Sequence, residues 1–108
     1  MSGKLYFKDY LTGPVLSGKK TATTRIGIRK FKAGEAVPFC GEDGRVLGTL
    51  LVERTDIIDL AGITEALASA ENLSGPEELI AALLGIYGQK VREIPLTAIY
   101  FKVQDSEQ

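Results

Sequence analysis

The 108-residue sequence has no histidine, no tryptophan and a single cysteine, Cys40. No internal disulfide can form, no Cys/His zinc site can be assembled, and a histidine-based catalytic triad is excluded. Long apolar runs are missing too, since nothing approaches the roughly 20 residues that span a bilayer. The N-terminal stretch MSGKLYFKDY mixes charges into its apolar residues, where a signal peptide would carry an apolar centre. The expectation is a protein that neither crosses nor enters a membrane and stays in the cytoplasm. Any chemistry falls to Lys, Thr, Ser, Tyr, Asp, Glu or Arg. What is present is ordinary for a globular chain, with 44% hydrophobic and 25% charged residues, and the length suits one domain.

The net charge of −1 conceals a division of sign. Residues 1–54 hold ten Lys/Arg against five Asp/Glu, net +5, and residues 55–108 hold three against nine, net −6. The segment Lys19–Lys32 contains Lys19, Lys20, Arg25, Arg29, Lys30 and Lys32 and no acidic residue. If these share a face they build a positive field suited to a phosphate-bearing ligand or RNA. The simpler reading is a solvated basic loop.

No repeat or low-complexity segment interrupts the chain, so residues 1–103 read as one domain and 104–108, QDSEQ, as a polar C-terminal tail. Lys4–Phe7 is a short strand candidate, and Pro14 is placed to open a helix that Gly18 closes. Thr21–Ile28 is rich in β-branched residues and predicts a strand. Phe31-Lys32-Ala33-Gly34-Glu35 predicts a turn, Ala36–Cys40 a strand, and Glu42-Asp43-Gly44 a second turn. A long strand follows from Arg45 to about Ile58, with a bulge near Gly48.

The period then changes. Ile63, Ala66, Leu67 and Ala70 predict an amphipathic helix that Asn72 ends in a left-handed conformation. Ser74-Gly75-Pro76-Glu77 has the form of a capping box for a second helix, with Leu79, Ile80, Leu83, Leu84 and Tyr87 on one face. Ile99, Phe101 and Val103 alternate with Ala98, Tyr100 and Lys102, predicting a last strand with one buried face. Without βαβ alternation, the expected fold is α+β, a small, mostly antiparallel β-barrel with peripheral helices.

The segment Gly18-Lys19-Lys20-Thr21-Ala22-Thr23-Thr24-Arg25 concentrates hydroxyls and cations. If Gly18 makes a tight turn, Lys20 and Thr23 can meet across it, and an amine beside a hydroxyl makes a nucleophile without histidine. Such an amine must be neutral part of the time, which burial and the neighbouring Lys19 and Arg25 favour. The plainer reading is that Thr21, Thr23 and Thr24 are good strand residues flanked by lysines. Glu71 lies near a predicted helix C-terminus, where the macrodipole disfavours a carboxylate by roughly 0.3–1 kcal/mol. Either something else holds it there, or it faces solvent. Cys40 has no activating neighbour and reads as a buried structural thiol. The Tyr and Phe residues are assigned no role beyond the core. Asp56 and Asp59 are a close acidic pair at a strand end, the weak basis for metal-assisted RNA cleavage.

Over about residues 14–103 the sequence resembles the activating-signal-cointegrator homology (ASCH) domain, a PUA-like family linked to RNA. Leu16-Ser17-Gly18-Lys19-Lys20-Thr21-Ala22-Thr23-Thr24-Arg25 is similar to the family's G-[KR]-K-T-x-T-x-R motif, Phe31–Glu35 to its F-x-x-G-[DE] turn, and Ile99–Lys102 to its last strand. Ala70-Glu71-Asn72-Leu73-Ser74, followed by a helix ending at Ile86-Tyr87-Gly88, resembles the short bacterial branch. That branch includes amidohydrolases that deacetylate N(4)-acetylcytidine. The resemblance implies Lys20 as base, Thr23 as nucleophile and Glu71 as the third catalytic residue. It further implies Arg25, Lys19 and Thr21 as substrate-binding residues, with no cofactor and no metal ion. The implied partner is a modified nucleoside, with RNA along Lys19–Lys32 under the competing reading of a non-catalytic RNA-binding module.

Overall fold

The computed structural model describes residues 3–104, so 105–108 of the expected tail lie outside the described residues. In chain order the elements are β1 (Leu5–Tyr6), α1 (Asp9–Ser17), β2 (Ala22–Ile26), β3 (Ala36–Cys40) and β4 (Val46–Ile58). They are followed by α2 (Glu65–Ala70), α3 (Pro76–Tyr87) and β5 (Leu96–Val103), with 3-10 turns at Leu60–Gly62 and Gln89–Arg92. One sheet of order β1-β3-β4-β5-β2 is antiparallel except for the parallel contact of β1 with β3. It curls into a half-barrel with β1 and β2 as its edges, the expected α+β architecture of a mostly antiparallel, curled sheet with peripheral helices.

The strand and turn residues act as their types predict. Gly34 and Gly44 turn the chain at φ 89° and 83°. In the β3–β4 ladder Phe39 faces Gly48 and Cys40 faces Val46, which leaves Leu47 as the extra residue of a bulge. Gly48 is required there, because a Cβ would stand 2.8 Å from the Phe39 ring. A second bulge, at Glu53, separates the pairs Val52–Phe101 and Arg54–Tyr100. Cys40 is fully buried, as a structural thiol should be.

Three expectations are corrected. Helix α1 starts at Asp9, and Pro14 lies inside it. The start is set by a reciprocal cap, in which the Asp9 N–H donates to Glu42 Oε2 at 2.9 Å and the Glu42 N–H donates to Asp9 Oδ1 at 3.0 Å. Gly18 does close the helix, at φ 83°. At α3 the N-cap is Gly75, and the Ser74 N–H and hydroxyl both donate to Glu78 Oε1 at 2.8 Å rather than to Glu77. Strand β5 buries both faces between Leu96 and Ile99, because a hydrophobic core packs against each side of the sheet there. Ile99 and Phe101 join the core on one side with Phe7, Phe39 and Leu50. Leu96 and Ala98 join the core on the other with Leu67, Leu79 and Leu83.

The half-barrel is spanned at one point across its open side, where Arg25 Nη2 on β2 donates to the Tyr6 carbonyl on β1 at 2.8 Å. The Arg25 guanidinium lies over the Phe7 ring, 4.9 Å from its centroid.

Candidate functional site

The connection from α1 into β2 places the first functional side chain. The Lys20 N–H donates to the Pro14 carbonyl at 3.0 Å, and the Thr21 N–H donates to the Ala70 carbonyl at 2.6 Å. That second bond fixes the start of β2 against the end of α2, so Lys20 and Glu71 come side by side. Glu71 is the C-cap of α2, and Asn72 beside it takes the left-handed conformation at φ 64°.

Lys20 Nζ donates to Glu71 Oε1 at 2.7 Å, with the two side chains 5% and 8% exposed. A buried ion pair needs its remaining lone pairs satisfied to offset desolvation. Thr24 Oγ1 supplies this, lying 2.5 Å from Glu71 Oε2. These two donors explain why a carboxylate is tolerated at a helix C-terminus. Beside them, Arg25 Nε donates to Thr23 Oγ1 at 3.0 Å. Arginine carries donors and no acceptor, so the Thr23 oxygen accepts and its own proton stays available. Ionised carboxylates accept only, so the Thr24 hydroxyl donates. The two neighbouring threonines therefore differ chemically.

Burial pushes the Arg25 pKa down from the ordinary arginine value, Arg29 adds to this, and Tyr87 and Glu71 oppose it. No ion pair joins Arg25 to a carboxylate among the described residues. A cation that lines a cavity and has N–H groups beyond those given to Thr23 and Tyr6 suits a carbonyl oxygen or developing oxyanion.

Lys20, Thr23, Thr24, Arg25 and Glu71 all line one cavity of about 680 Å³, between α1 and α3 at the β1/β2 opening. Its apolar wall includes Phe7, Leu79, Leu83 and Tyr87, and Tyr6, Tyr10 and Ile86 stand exposed at its border. The volume falls within the roughly 300–1,000 Å³ of small-molecule sites. Its charged lining balances, Lys8, Lys20 and Arg25 against Glu42, Glu71 and Glu78.

Of the residues singled out in the sequence, Lys20, Thr23, Glu71 and Arg25 meet here. Lys19 is exposed and outside the lining, and Thr21 turns its hydroxyl to the Ala70 carbonyl at 3.4 Å. Lys20 and Thr23 share the cavity, but no hydrogen bond joins them among the described residues, because Glu71 holds the amine. The basic segment does not act as one face: Lys20 is buried and Arg25 lines the cavity, whereas Lys19, Arg29, Lys30 and Lys32 are exposed. Asp56 pairs with Arg54 at 3.4 Å and Asp59 caps the Gly62 N–H at 2.9 Å, and neither lines the cavity. Sequence reasoning misses Thr24, and with it Tyr6, Phe7, Tyr10 and Tyr87. A run of three cavity residues in one strand is the signal that a cavity wraps a strand edge.

This architecture is the ASCH-domain fold. An ASCH domain from Lactobacillus crispatus JV V101 superposes with a TM-score of 0.74 at 13% identity, over 92% of this chain and 79% of that one. A DUF984-family protein from Enterococcus faecalis V583 gives 0.73 at 19% identity, over 100% and 85%. A point mutant of an ASCH protein from Zymomonas mobilis gives 0.63 at 17% identity, over 91% and 66%. By sequence, no family model and no curated protein matches the chain.

Proposed function

We propose that this chain is a member of the ASCH family acting as an amidohydrolase that removes the acetyl group from N(4)-acetylcytidine, yielding cytidine and acetate. The observation that carries the reading is the buried Lys20–Glu71 pair sharing a cavity with Thr23, whose oxygen is held by the Arg25 cation. Thr23 Oγ attacks the acetyl carbonyl carbon, and its proton passes to Lys20 directly or through one water. Before the attack, the proton that Lys20 Nζ donates to Glu71 Oε1 passes to that oxygen, which leaves the amine neutral. The Arg25 guanidinium stabilises the threonine oxygen and then the tetrahedral oxyanion. Collapse breaks the C–N bond, Lys20 returns the proton to the departing cytidine amine, and water hydrolyses the acetyl-threonine ester to acetate.

The balanced charge of the cavity favours a neutral nucleoside over a phosphate-bearing ligand, and the apolar wall suits a pyrimidine ring. No step requires a metal ion or cofactor. A second reading, an RNA-binding module, draws on the exposed Lys19, Arg29, Lys30 and Lys32 outside the cavity. Ultraviolet-monitored incubation with N(4)-acetylcytidine tests the first reading. Conversion to cytidine by the wild type, abolished in Lys20→Ala and Thr23→Ala, is the expected result. Absence of conversion at high protein concentration, with salt-sensitive RNA binding, establishes the module instead.

A further inference from the structure

We propose that Thr24 is a positioning residue of this reaction, its hydroxyl holding the Glu71 carboxylate so that Lys20 stays aimed into the cavity. The inference rests on the amidohydrolase reading and goes beyond it to a residue that the catalytic set does not contain.

The register of β2 sets the geometry. The Thr21 carbonyl accepts from the Phe101 N–H at 2.9 Å, and the Gly27 N–H donates to the Pro95 carbonyl at 2.7 Å. Residues 21, 23, 25 and 27 thus turn their backbone toward β5, and 22, 24 and 26 turn theirs toward the open edge. Side chains alternate as well. Arg25 and its partner Thr23 lie on the Phe7 side, whereas Ala22 packs with Leu67 and Leu79 on the α2/α3 side. Thr24 shares the face of Ala22, which brings its hydroxyl to the carboxylate at the end of α2.

With Oε1 on Lys20 at 2.7 Å and Oε2 on Thr24 at 2.5 Å, each oxygen of Glu71 has its own donor. The carboxylate cannot rotate without losing one of them. Removal of the Thr24 hydroxyl leaves Oε2 buried without that donor, and rotation toward Lys20 as a two-oxygen acceptor becomes the available remedy. That rotation engages more of the amine's protons and draws it from the side on which Thr23 lies. The Thr24 proton is committed to the carboxylate, so its oxygen is not the competing nucleophile.

Steady-state kinetics on N(4)-acetylcytidine with wild type, Thr24→Val and Thr24→Ser test this. In Thr24→Val, kcat falls about ten- to a hundredfold, the scale of one charge-assisted hydrogen bond, while KM stays near the wild-type value. Thr24→Ser, which keeps the donor, restores kcat. Thermal unfolding checks that each variant is folded, and Thr24→Ala replaces the valine variant if that one is not. Wild-type kcat in a folded variant lacking the hydroxyl overturns the inference and leaves the amidohydrolase reading intact. A loss that serine does not restore overturns it likewise. A wild-type protein that does not hydrolyse the substrate overturns the amidohydrolase reading itself, and the inference with it.

Discussion

At the scale of residues, the Lys20–Glu71 pair does two things at once. It is a buried ion pair, and breaking such a pair costs about 3–5 kcal/mol because one charge remains uncompensated. Glu71→Gln is therefore expected to lower the urea midpoint strongly, and Lys20→Met with Glu71→Leu to recover most of the loss. Full recovery of stability without any activity would separate the structural role of the pair from its proposed catalytic one. Arg25→Lys keeps the charge and loses the planar fork that reaches Thr23 and Tyr6 together. Its turnover is expected to fall about a hundredfold, the scale of one lost oxyanion or nucleophile donor, with measured kcat as the check. The family resemblance singled out Lys20, Thr23 and Glu71, which the fold brings to one cavity, and Glu71 also stood out through its unfavourable place on a helix. Thr24 was not, because a threonine in a β-branched run is an ordinary strand residue until the open edge of β2 turns it onto a carboxylate 47 residues away.

At the scale of elements, the turn after α2 carries the site, since Asn72 at φ 64° directly follows Glu71. Asn72→Val should cost about 1–2 kcal/mol, as a β-branched residue is strained in the left-handed region, and Asn72→Gly should be nearly neutral. Chemical denaturation of the two variants checks this. At the start of α3, hydrogen bonds from the Ser74 N–H and hydroxyl hold the Glu78 carboxyl below the usual carboxylate range. A depressed carboxylate contributes stability above its unfolded value, about 4.3, and loses it as pH falls through the folded one. Amide protection factors at residues 77–79, corrected for the intrinsic pH dependence of exchange, should therefore fall as acid is added, and Glu78→Gln should flatten that response. The limits of sequence reading show in the same elements. Strands β3 and β4 and the apolar face of α3 follow from local pattern. The start of α1 does not, because its cap comes from Glu42, 33 residues away, and the Ser74 bond passes one residue beyond the box its spacing suggests. Nor did alternation in β5 show two buried faces, which depend on the two cores that pack against opposite sides of the sheet.

At the scale of the whole molecule, the opposite charge of the two halves resolves into a neutral cavity and a basic surface segment beside it. Hydrolysis of an uncharged nucleoside should then change little in kcat/KM across ionic strengths whose screening length falls from about 30 to 8 Å. RNA bound along the exposed lysines would instead weaken with a log-log slope near −0.7 per phosphate neutralised. The order of strands has a consequence of its own. Strand β5 is the last of the described strands and sits between β4 and β2, and both cores draw residues from it. A nascent chain threading out of the ribosome can form the β3–β4 hairpin early, but β2 has no neighbour to pair with until residues 96–103 emerge. Synthesis runs ahead of folding here, and from Ile26 to Leu96 the strand that carries Thr23 and Arg25 waits unpaired for a partner still to be made.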